Sequence, residues 1–491
     1  MKTCYVLAAW ITLVPFFLQA QPEPTFEDFF MDKTMRIDYF HIGDANTEIV
    51  TVDHIYQYGI WAGSRIKLID RFNNGLYYVK IFDPESGRLV YSQGFNSYFG
   101  EYQTSSPAAE GIKRTYHESA IIPCPRKTIR FSLGKRDKKN KLHEIFSCQV
   151  DPEDIRIIRD RVLDKSVKVI KAHIRGDPHK KVDIAIVGEG YTIDDLGKFK
   201  DDLKRFASTF FRYEPYRSMK DKFNIKGVFK PSQESGTDEP RANIYKSTAL
   251  NSSFNALGSE RYLLTEDNKA LRDIAAHTPY DALMIMVNHK RYGGGGIYNF
   301  YCSFTAGTQF SEYIFIHEFG HSFSGLADEY YTYSVSYNEF YPKGIEPLEP
   351  NITALLDPEN LKWKDLKDKE VTLPTPWEKA AYDEMDYAWQ KRRRKLNDRI
   401  AELKRTGAPA KDINKAEQEY AQKDREHSQK VDEFLKKSSY KGKVGVYEGA
   451  GYSSQGLYRP MVDCIMFSKG GKPFCKVCEA AIRKVIQRYL E

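Results

Sequence analysis

His317-Glu318-Phe319-Gly320-His321 is the stretch that decides how the second half of this 491-residue chain is interpreted. The residues before it have helix-compatible apolar spacing: Phe310, Tyr313, Ile314 and Ile316. Two histidines four positions apart on a helix project from the same side and can bind one metal ion. Glu318 would then lie beside the ion, where it can accept a proton from bound water.

The residues after the second histidine provide a candidate for a third ligand. Gly325 can end the helix, because glycine readily adopts the left-handed conformation of a helix C-cap. The chain can then turn back and present an acidic side chain, for which we favour Asp328 and keep Glu329 as the alternative. A catalytic zinc site has three protein ligands and one position open for water, so the sequence predicts a single Zn²⁺ ion.

The surrounding sequence predicts an α/β domain over residues 166–491. Strand-like runs at residues 182–187, 223–229 and 282–287 alternate with helical patterns such as residues 194–211.

Residues 375–440 differ from the rest of this domain, being rich in Lys, Arg, Glu and Asp. Thr375, Pro376 and Glu378 form a capping box that would start a helix, and a Gly-Ala-Pro stretch at residues 407–409 divides the segment. We predict an inserted antiparallel helical hairpin whose charges form a solvated face rather than a binding site.

The first part of the chain, residues 21–165, is predicted to be an antiparallel β-sandwich. Residues 76–82 and 88–91 flank a turn at residues 83–87 and indicate a β-hairpin, and residues 129–133 alternate likewise before a return run to residue 148. Nothing in this part looks catalytic.

Residues 1–20 are interpreted as a signal peptide. Lys2 precedes an apolar stretch shorter than the ~20 residues of a spanning helix, and Leu18-Gln19-Ala20 fits a cleavage site after Ala20. No later segment is apolar enough to span, so we expect a periplasmic, cell-surface or secreted protein. The formal charge of +7 comes from 74 basic and 67 acidic residues spread along the chain, which does not indicate nucleic-acid binding.

Export changes how the cysteines are interpreted. An even number remains after the predicted cleavage, and an oxidising compartment favours disulfides among them: Cys124, Cys148, Cys302, Cys464, Cys475 and Cys478. Cys124 and Cys148 flank one hairpin-like stretch and are the first expected pair. For Cys475 and Cys478, disulfides with Cys464 and Cys302 are favoured over a redox pair or half of a structural zinc site, because no second such pair is present.

A run of glycines at residues 293–296 precedes the predicted metal helix. It does not fit a phosphate-binding loop, because no lysine and helix follow in the required order. It is either an ordinary mobile loop or the start of an edge strand that pairs with an extended peptide substrate, formed by Gly295, Gly296, Ile297 and Tyr298.

Two separated blocks of sequence resemble the bacterial IgA metallopeptidase family. The first is residues 317–323 with residues 325–330, and the second runs through residues 447–452, 458–460, 464–466 and 474–478. The resemblance covers most of the mature chain, although the helical hairpin looks like an insertion that typical members lack. The histidine motif also resembles the metzincin clan, but Gly325 and Asp328 each lie one position later than the clan's spacing.

The resemblance implies an exported zinc metalloendopeptidase that cleaves a protein or glycoprotein, either IgA or another exported or host glycoprotein. Met466 would be the methionine of the turn beneath the metal, with Met461 as the alternative. Some group must stabilise the oxyanion of the reaction, and the unranked candidates are Tyr330, Tyr331 and Tyr458.

Two other functions remain open from the sequence. One is an inactive surface-binding protein that keeps the peptidase fold, although the intact Glu318 counts against it. The other is a zinc-dependent deacetylase or other amidase, which would use the same metal chemistry. The sequence does not indicate the oligomeric state.

Overall fold

The structure, a computed structural model, describes residues 23–159, 164–333 and 340–490. The predicted signal peptide lies outside these residues, and its cleavage stays a prediction. Within the described ranges, no helix is both long and apolar enough to cross a membrane. Antiparallel sheets form the N-terminal part, and a mixed sheet with helices follows.

The N-terminal part consists of two antiparallel sheets, ordered β2-β1-β5 and β4-β3-β6-β7. Their strands are β1 (Phe30–Gly43), β2 (Glu48–Tyr58), β3 (Tyr77–Phe82), β4 (Leu89–Phe95), β5 (Arg114–Pro125), β6 (Ile129–Arg136) and β7 (Leu142–Val150). Short helices accompany them: α1 (Phe26–Phe29), α2 (Tyr98–Tyr102) and α3 (Ser106–Ala109). Inward-pointing residues of both sheets, such as Ile37 and Phe131, share one core, because successive side chains of a strand face opposite sides. Both predicted hairpins are present, as β3 with β4 and β6 with β7.

A buried ionic cluster lies in this N-terminal part. Glu48 is 2.7 Å from His41 Nε2 and also pairs with Lys135. Burial alone would raise the pKa of Glu48, but the hydrogen bond from His41 and the charge of Lys135 outweigh it and lower that pKa to about 2. The folded protein therefore stabilises the ionised form of this carboxyl group.

The second part is built on a six-stranded mixed sheet in the order β12-β13-β11-β9-β10-β8. Its strands are β8 (Lys168–His173), β9 (Val182–Glu189), β10 (Phe223–Phe229), β11 (Ala282–Val287), β12 (Gly294–Ile297) and β13 (Tyr301–Thr305). The four inner strands are parallel, while β8 and β12 run antiparallel at the two edges. Strands β9 and β11 are buried at every residue, as expected for parallel strands covered on both faces.

Helices cover this sheet and carry the histidine motif: α4 (Leu196–Phe210), α5 (Asn268–Ala275), α6 (Ser311–Ser324) and α9 (Lys476–Tyr489). Helix α6 contains both histidines and contacts strands β11, β12 and β13 as well as helices α4 and α9. Every residue of α6 except Glu312 and His321 is buried. The helix is therefore held on all sides by close-packed atoms, which gives its histidines a rigid support.

The charged segment forms two long antiparallel helices, α7 (Lys379–Arg405) and α8 (Ala410–Lys436), followed by a small sheet of β14 (Tyr447–Ala450) and β15 (Ser453–Arg459). The predicted capping box is wrong, because α7 begins at Lys379. The Thr375 backbone N–H donates to Val446 O instead, and the Glu378 carboxylate accepts from Ser438 Oγ at 2.8 Å. Pairing with distant residues has replaced the local cap.

The expectation that the charges of the hairpin form a solvated face is wrong for its inner side. Asp424 of α8 is 2% exposed and lies 2.9 Å from Lys469 Nζ. Arg393 of α7 is buried and lies 2.8 Å from Glu260 Oε1. These ion pairs fasten the hairpin to the rest of the domain, because a buried charge is tolerated only with a partner.

Candidate active site

Both histidines lie on helix α6, and the loop after the helix places Asp328 beside them. The two Nε2 atoms are 3.1 Å apart, and Asp328 Oδ1 lies 3.0 Å from His317 Nε2 and 3.2 Å from His321 Nε2. Zinc binds such atoms at about 2.0–2.1 Å, which for tetrahedral geometry separates the ligand atoms by roughly 3.3 Å. The triangle in the structure therefore has the size that one tetrahedral ion requires.

The hydrogen bonds behind the rings leave both Nε2 atoms facing Asp328. His317 Nδ1 donates to Ile465 O at 3.0 Å, and His321 Nδ1 donates to Leu326 O at 2.6 Å. A carbonyl oxygen can only accept, so both Nδ1 atoms carry a proton, and each ring when neutral has its lone pair on Nε2. Two Nε2 lone pairs and a carboxylate oxygen would then converge on one point. Mutual repulsion there is relieved by a metal ion, and the residues fit one.

The chain reaches Asp328 through a glycine turn at the end of α6. Gly325 has a φ of +60°, and its N–H donates to His321 O at 2.9 Å. A β-carbon at Gly325 would also lie 2.2 Å from Asn74 Nδ2, so glycine is required here for two reasons. Asn351 then accepts from Ala327 N at 2.8 Å and donates to Ala327 O at 2.9 Å. These bonds hold the loop that presents Asp328.

The two acidic residues of this loop point to different places. Asp328 faces the histidines, and its Oδ2 accepts from Tyr452 Oη at 2.5 Å. Glu329 turns away and places its Oε1 3.2 Å from Cys478 Sγ. Of the two predicted alternatives, the structure brings only Asp328 into the triangle.

The pKa values of Asp328 and His321 shift in opposite directions. Burial alone would raise the pKa of Asp328, but the charges and hydrogen bonds of His321 and His317 hold it well below its usual range. Burial would lower the pKa of His321, but Asp328 and Glu318 raise it to about 9. In the metal-free protein a proton on His321 would therefore balance the negative charge of Asp328 and Glu318.

Glu318 lies in the same cleft as the three candidate ligands. The residue is 8% exposed, and burial raises the pKa of its carboxyl group above the ordinary value despite the opposing effect of His317 and His321. A carboxyl group next to a metal-ligand cluster can accept a proton from a water molecule and return it.

Met466, the predicted methionine of the turn beneath the metal, packs against helix α6 at Gly320. It is completely buried, and a β-carbon at Gly320 would lie 3.2 Å from its Sδ. The residue before it, Ile465, provides the carbonyl that holds His317. Met461, the alternative, is only partly buried and packs at the margin of the same core.

The three candidate tyrosines are separated by the fold. Tyr330 lines the cleft, and its phenol oxygen accepts from Arg261 Nη2 at 2.7 Å. Tyr331 donates at 2.5 Å to Oδ1 of Asp383, which lies on helix α7. Tyr458 lies in β15 opposite Glu448. Of the three, only Tyr330 is positioned to contact a bound substrate.

The glycine run forms strand β12 at the edge of the six-stranded sheet, directly beside α6. A β-carbon at Gly296 would lie 2.5 Å from Glu318 O, so only glycine allows this approach. Both ends of the outer edge are occupied, because Gly294 O accepts from Leu263 N and Tyr298 O accepts from Asn96 N. Between these two occupied ends, Gly296 lines the cleft.

The cleft also contains residues that the sequence did not suggest. Asn74, Asn96 and Glu101 of the N-terminal part line it, and Tyr262 Oη donates to Glu101 Oε2 at 2.5 Å. Tyr452 was visible in the second sequence block, but nothing local indicated its bond to Asp328. The N-terminal residues had no sequence signal, because they reach the cleft only when the two parts pack together.

The predicted disulfides are absent from the described residues, where all six cysteines are free thiols. Cys124 lies on β5 of one N-terminal sheet and Cys148 on β7 of the other. The two thiols therefore belong to different sheets rather than to one hairpin. Cys302 lies on β13 in the mixed sheet.

The remaining three cysteines form a cluster. Cys464 Sγ and Cys478 Sγ are 3.9 Å apart, almost twice the ~2.05 Å of a disulfide bond. Cys475 lies beside them, and the ligand atoms of all three and of Glu329 are within 4.8 Å of one another.

Comparison with known protein families gives two matches along the chain. Residues 170–486 match the family described as IgA Peptidase M64, and residues 25–147 match the domain described as Peptidase M64 N-terminus. None of the curated proteins compared with the chain matches it. The larger match covers well over half of the chain and includes the histidines, Asp328 and Met466. The chain therefore belongs to the IgA peptidase M64 family, with a separate N-terminal domain followed by a peptidase domain.

Proposed function

We propose that this protein is a zinc-dependent endopeptidase whose metal is held by His317, His321 and Asp328. The observation that carries the proposal is the triangle of two Nε2 atoms and one carboxylate oxygen, 3.0–3.2 Å apart, with buried Glu318 in the same cleft. Two imidazoles and one carboxylate are a ligand set of catalytic zinc sites. A bound zinc ion would polarise the scissile carbonyl and lower the pKa of a water molecule to roughly 7.

Glu318 acts as the general base in this proposal. It takes a proton from the attacking water and delivers it to the nitrogen of the leaving amine, so that the carboxylate is regenerated in each turnover. The raised pKa of the Glu318 carboxyl brings its proton affinity closer to that needed for transfer in both directions at neutral pH.

Tyr330 stabilises the developing oxyanion. Arg261 donates to the phenol oxygen at 2.7 Å, which orients the ring and lets the phenol donate its own proton to a substrate oxygen. The half-buried guanidinium also places positive charge behind that phenol. A donor aimed at the reacting oxygen contributes on the order of 10²–10³-fold to the rate.

An extended substrate lies along β12 in this proposal. The peptide backbone would pair with the edge strand at Gly296, which lines the cleft beside the zinc helix, in the manner of an added strand. The name of the family suggests IgA, and the predicted signal peptide suggests export, so we propose an exported or host glycoprotein as the substrate.

The test compares Glu318→Gln with Glu312→Gln. Glu312 lies on the same helix but is partly exposed and pairs with Arg212 at the other end, which makes it a matched control. The purified chain is incubated with IgA and with a diverse protein mixture, and new termini are identified by mass spectrometry. We expect specific internal cuts, lost by on the order of 10²–10⁴-fold in Glu318→Gln but not in the control, with zinc bound in both. Equal cleavage by both variants, or folded protein without affinity for zinc, would overturn the proposal.

A further inference from the structure

Three cysteines and one glutamate lie together in the interior beneath the candidate active site. Cys464, Cys475, Cys478 and Glu329 are each no more than 3% exposed, and one ligand atom from each lies within 4.8 Å of all the others. They come from three segments: the loop after α6, the residues before Met466, and the start of α9. None of them is needed for the proposed hydrolysis.

The distances within this cluster match a tetrahedral zinc site. Zinc–sulfur bonds of about 2.3 Å separate two sulfurs by roughly 3.8 Å, and sulfur from oxygen by roughly 3.6 Å. In the structure, Cys464 Sγ and Cys478 Sγ are 3.9 Å apart, and Glu329 Oε1 lies 3.2 Å from Cys478 Sγ and 3.8 Å from Cys475 Sγ. A disulfide between Cys464 and Cys478 would require their 3.9 Å sulfur–sulfur separation to shrink to about 2.05 Å.

The carboxylate of Glu329 is the independent sign that something is bound here. The residue is 0% exposed, and within the described ranges its Oε2 atom has no hydrogen-bond partner. Its other oxygen accepts from Asn351 Nδ2 at 3.1 Å. A buried carboxylate with one oxygen lacking a donor is costly, and a metal ion bound through Oε1 would offset its negative charge.

The surroundings are suited to thiolate ligands. Backbone N–H groups donate to the sulfurs: Cys475 N to Cys464 Sγ at 3.2 Å, and Cys478 N to Cys475 Sγ at 3.4 Å. Such bonds stabilise a metal-bound thiolate. Arg459, which is completely buried, interacts electrostatically with Glu329 and offsets part of the negative charge of the ligands.

We propose that Glu329, Cys464, Cys475 and Cys478 form a second, structural zinc site, distinct from the histidine site. All four positions of its tetrahedron are filled by protein atoms, as in structural rather than catalytic zinc sites. Binding of the ion would replace disulfide formation as the fate of these cysteines, including in an oxidising compartment.

The second ion would support the catalytic one by joining the segments around it. Glu329 directly follows the ligand Asp328, and its N–H donates to Met466 O at 2.9 Å. Cys464 is adjacent to Ile465, whose carbonyl holds His317. One ion would therefore link the loop carrying the third ligand to the floor beneath the histidines.

The test counts metal ions in the full chain, purified without added chelator and analysed by mass spectrometry of the metal. We expect two zinc ions per chain. Replacing zinc with Co²⁺ should produce thiolate-to-cobalt charge-transfer absorption, which histidine and carboxylate ligands do not produce. This spectrum of the unmodified protein needs no variant, so it stays informative even if a cysteine variant misfolds.

Paired variants assign the ions. Cys475→Ser with Cys478→Ser should lose one ion and the charge-transfer band, whereas His317→Ala with His321→Ala should lose the other ion and keep the band. Cys148→Ser, a partly buried thiol in the N-terminal part, is the matched control and should keep both. The failure of peptidase activity alone would leave these results unchanged, so the two proposals are tested separately.

The proposal is overturned by a single zinc ion that disappears in the histidine variant. It is equally overturned by a cobalt spectrum without the charge-transfer band. An intact mass lacking two hydrogens, with a disulfide mapped among the three cysteines, would show that oxidation rather than metal binding occupies the cluster.

Discussion

Replacing Gly296 with alanine tests whether the edge strand positions the catalytic helix. Strand β12 passes so close to α6 that a β-carbon at Gly296 would lie 2.5 Å from Glu318 O and 2.9 Å from His321 Cβ. Both are atoms at or next to the helix backbone, which cannot rotate away as the end of a long side chain can. An ordinary contact begins at 3.4 Å, so strand and helix must separate by roughly 0.9 Å, the difference between these two distances.

The expected cost follows from that displacement. Overpacking of this kind lowers the free energy of unfolding by about 1–3 kcal/mol. A loss of about 2 kcal/mol, the middle of that range, lowers the melting temperature by roughly 4–8 °C. A misplacement near 1 Å of catalytic groups reduces the rate on the order of 10²-fold. Because the altered residue contacts both Glu318 and His321, we expect kcat/KM and zinc affinity to fall together.

The assay uses differential scanning calorimetry, zinc titration against a chelator, and kcat/KM on a substrate from the cleavage screen. Gly471→Ala is the control, because a β-carbon there would meet no atom within 4 Å and the residue has no positive φ. If Gly296→Ala matched the control in all three measurements, the close contact between β12 and α6 would not be what positions the site.

Three further outcomes are expected. Tyr452→Phe removes the proton donor to Asp328 Oδ2 and should weaken zinc binding by about 10–100-fold in chelator competition; unchanged affinity would contradict it. Folding lowers the pKa of Glu48 from 4.5 to about 2, so the ionised carboxylate stabilises the fold by up to about 3 kcal/mol above pH 4.5, and this stabilisation is lost as the pH falls towards 2. Glu48→Gln should therefore make the free energy of unfolding less dependent on pH between 4.5 and 2. Asp424→Ala leaves Lys469 buried without its partner and should cost about 3–5 kcal/mol in urea unfolding, largely regained by Asp424→Leu with Lys469→Met.

Local patterns in the sequence identified much of the chemistry. The spacing of His317 and His321 predicts convergence on one ion because four residues make about one helical turn. Gly325 predicts the end of that helix because glycine readily adopts positive φ, and in the structure Gly325 is the C-cap of α6 with positive φ. Strand periods and turn residues likewise located the hairpins and the buried parallel strands. All of these features depend on neighbours within one turn or one hairpin.

Features that depend on distant partners were not accessible in this way. The choice between Asp328 and Glu329 rests on Asn351 and on cysteines more than a hundred positions away. The disulfide prediction failed for the same reason, since the number of cysteines says nothing about which sheet each one joins. Charged residues of the hairpin were read as solvated because their buried partners lie elsewhere in the chain.

The sequence by itself therefore determined the reactive groups, the helix that carries them and the kinds of element around it, since backbone geometry couples residues only over short spans. Only the tertiary structure decided which groups meet: Asp328 with the histidines, Tyr452 with Asp328, the N-terminal domain with the cleft, and Glu329 with three thiols. These contacts arise from the close packing of whole layers, in which the position of each side chain depends on atoms far away along the chain.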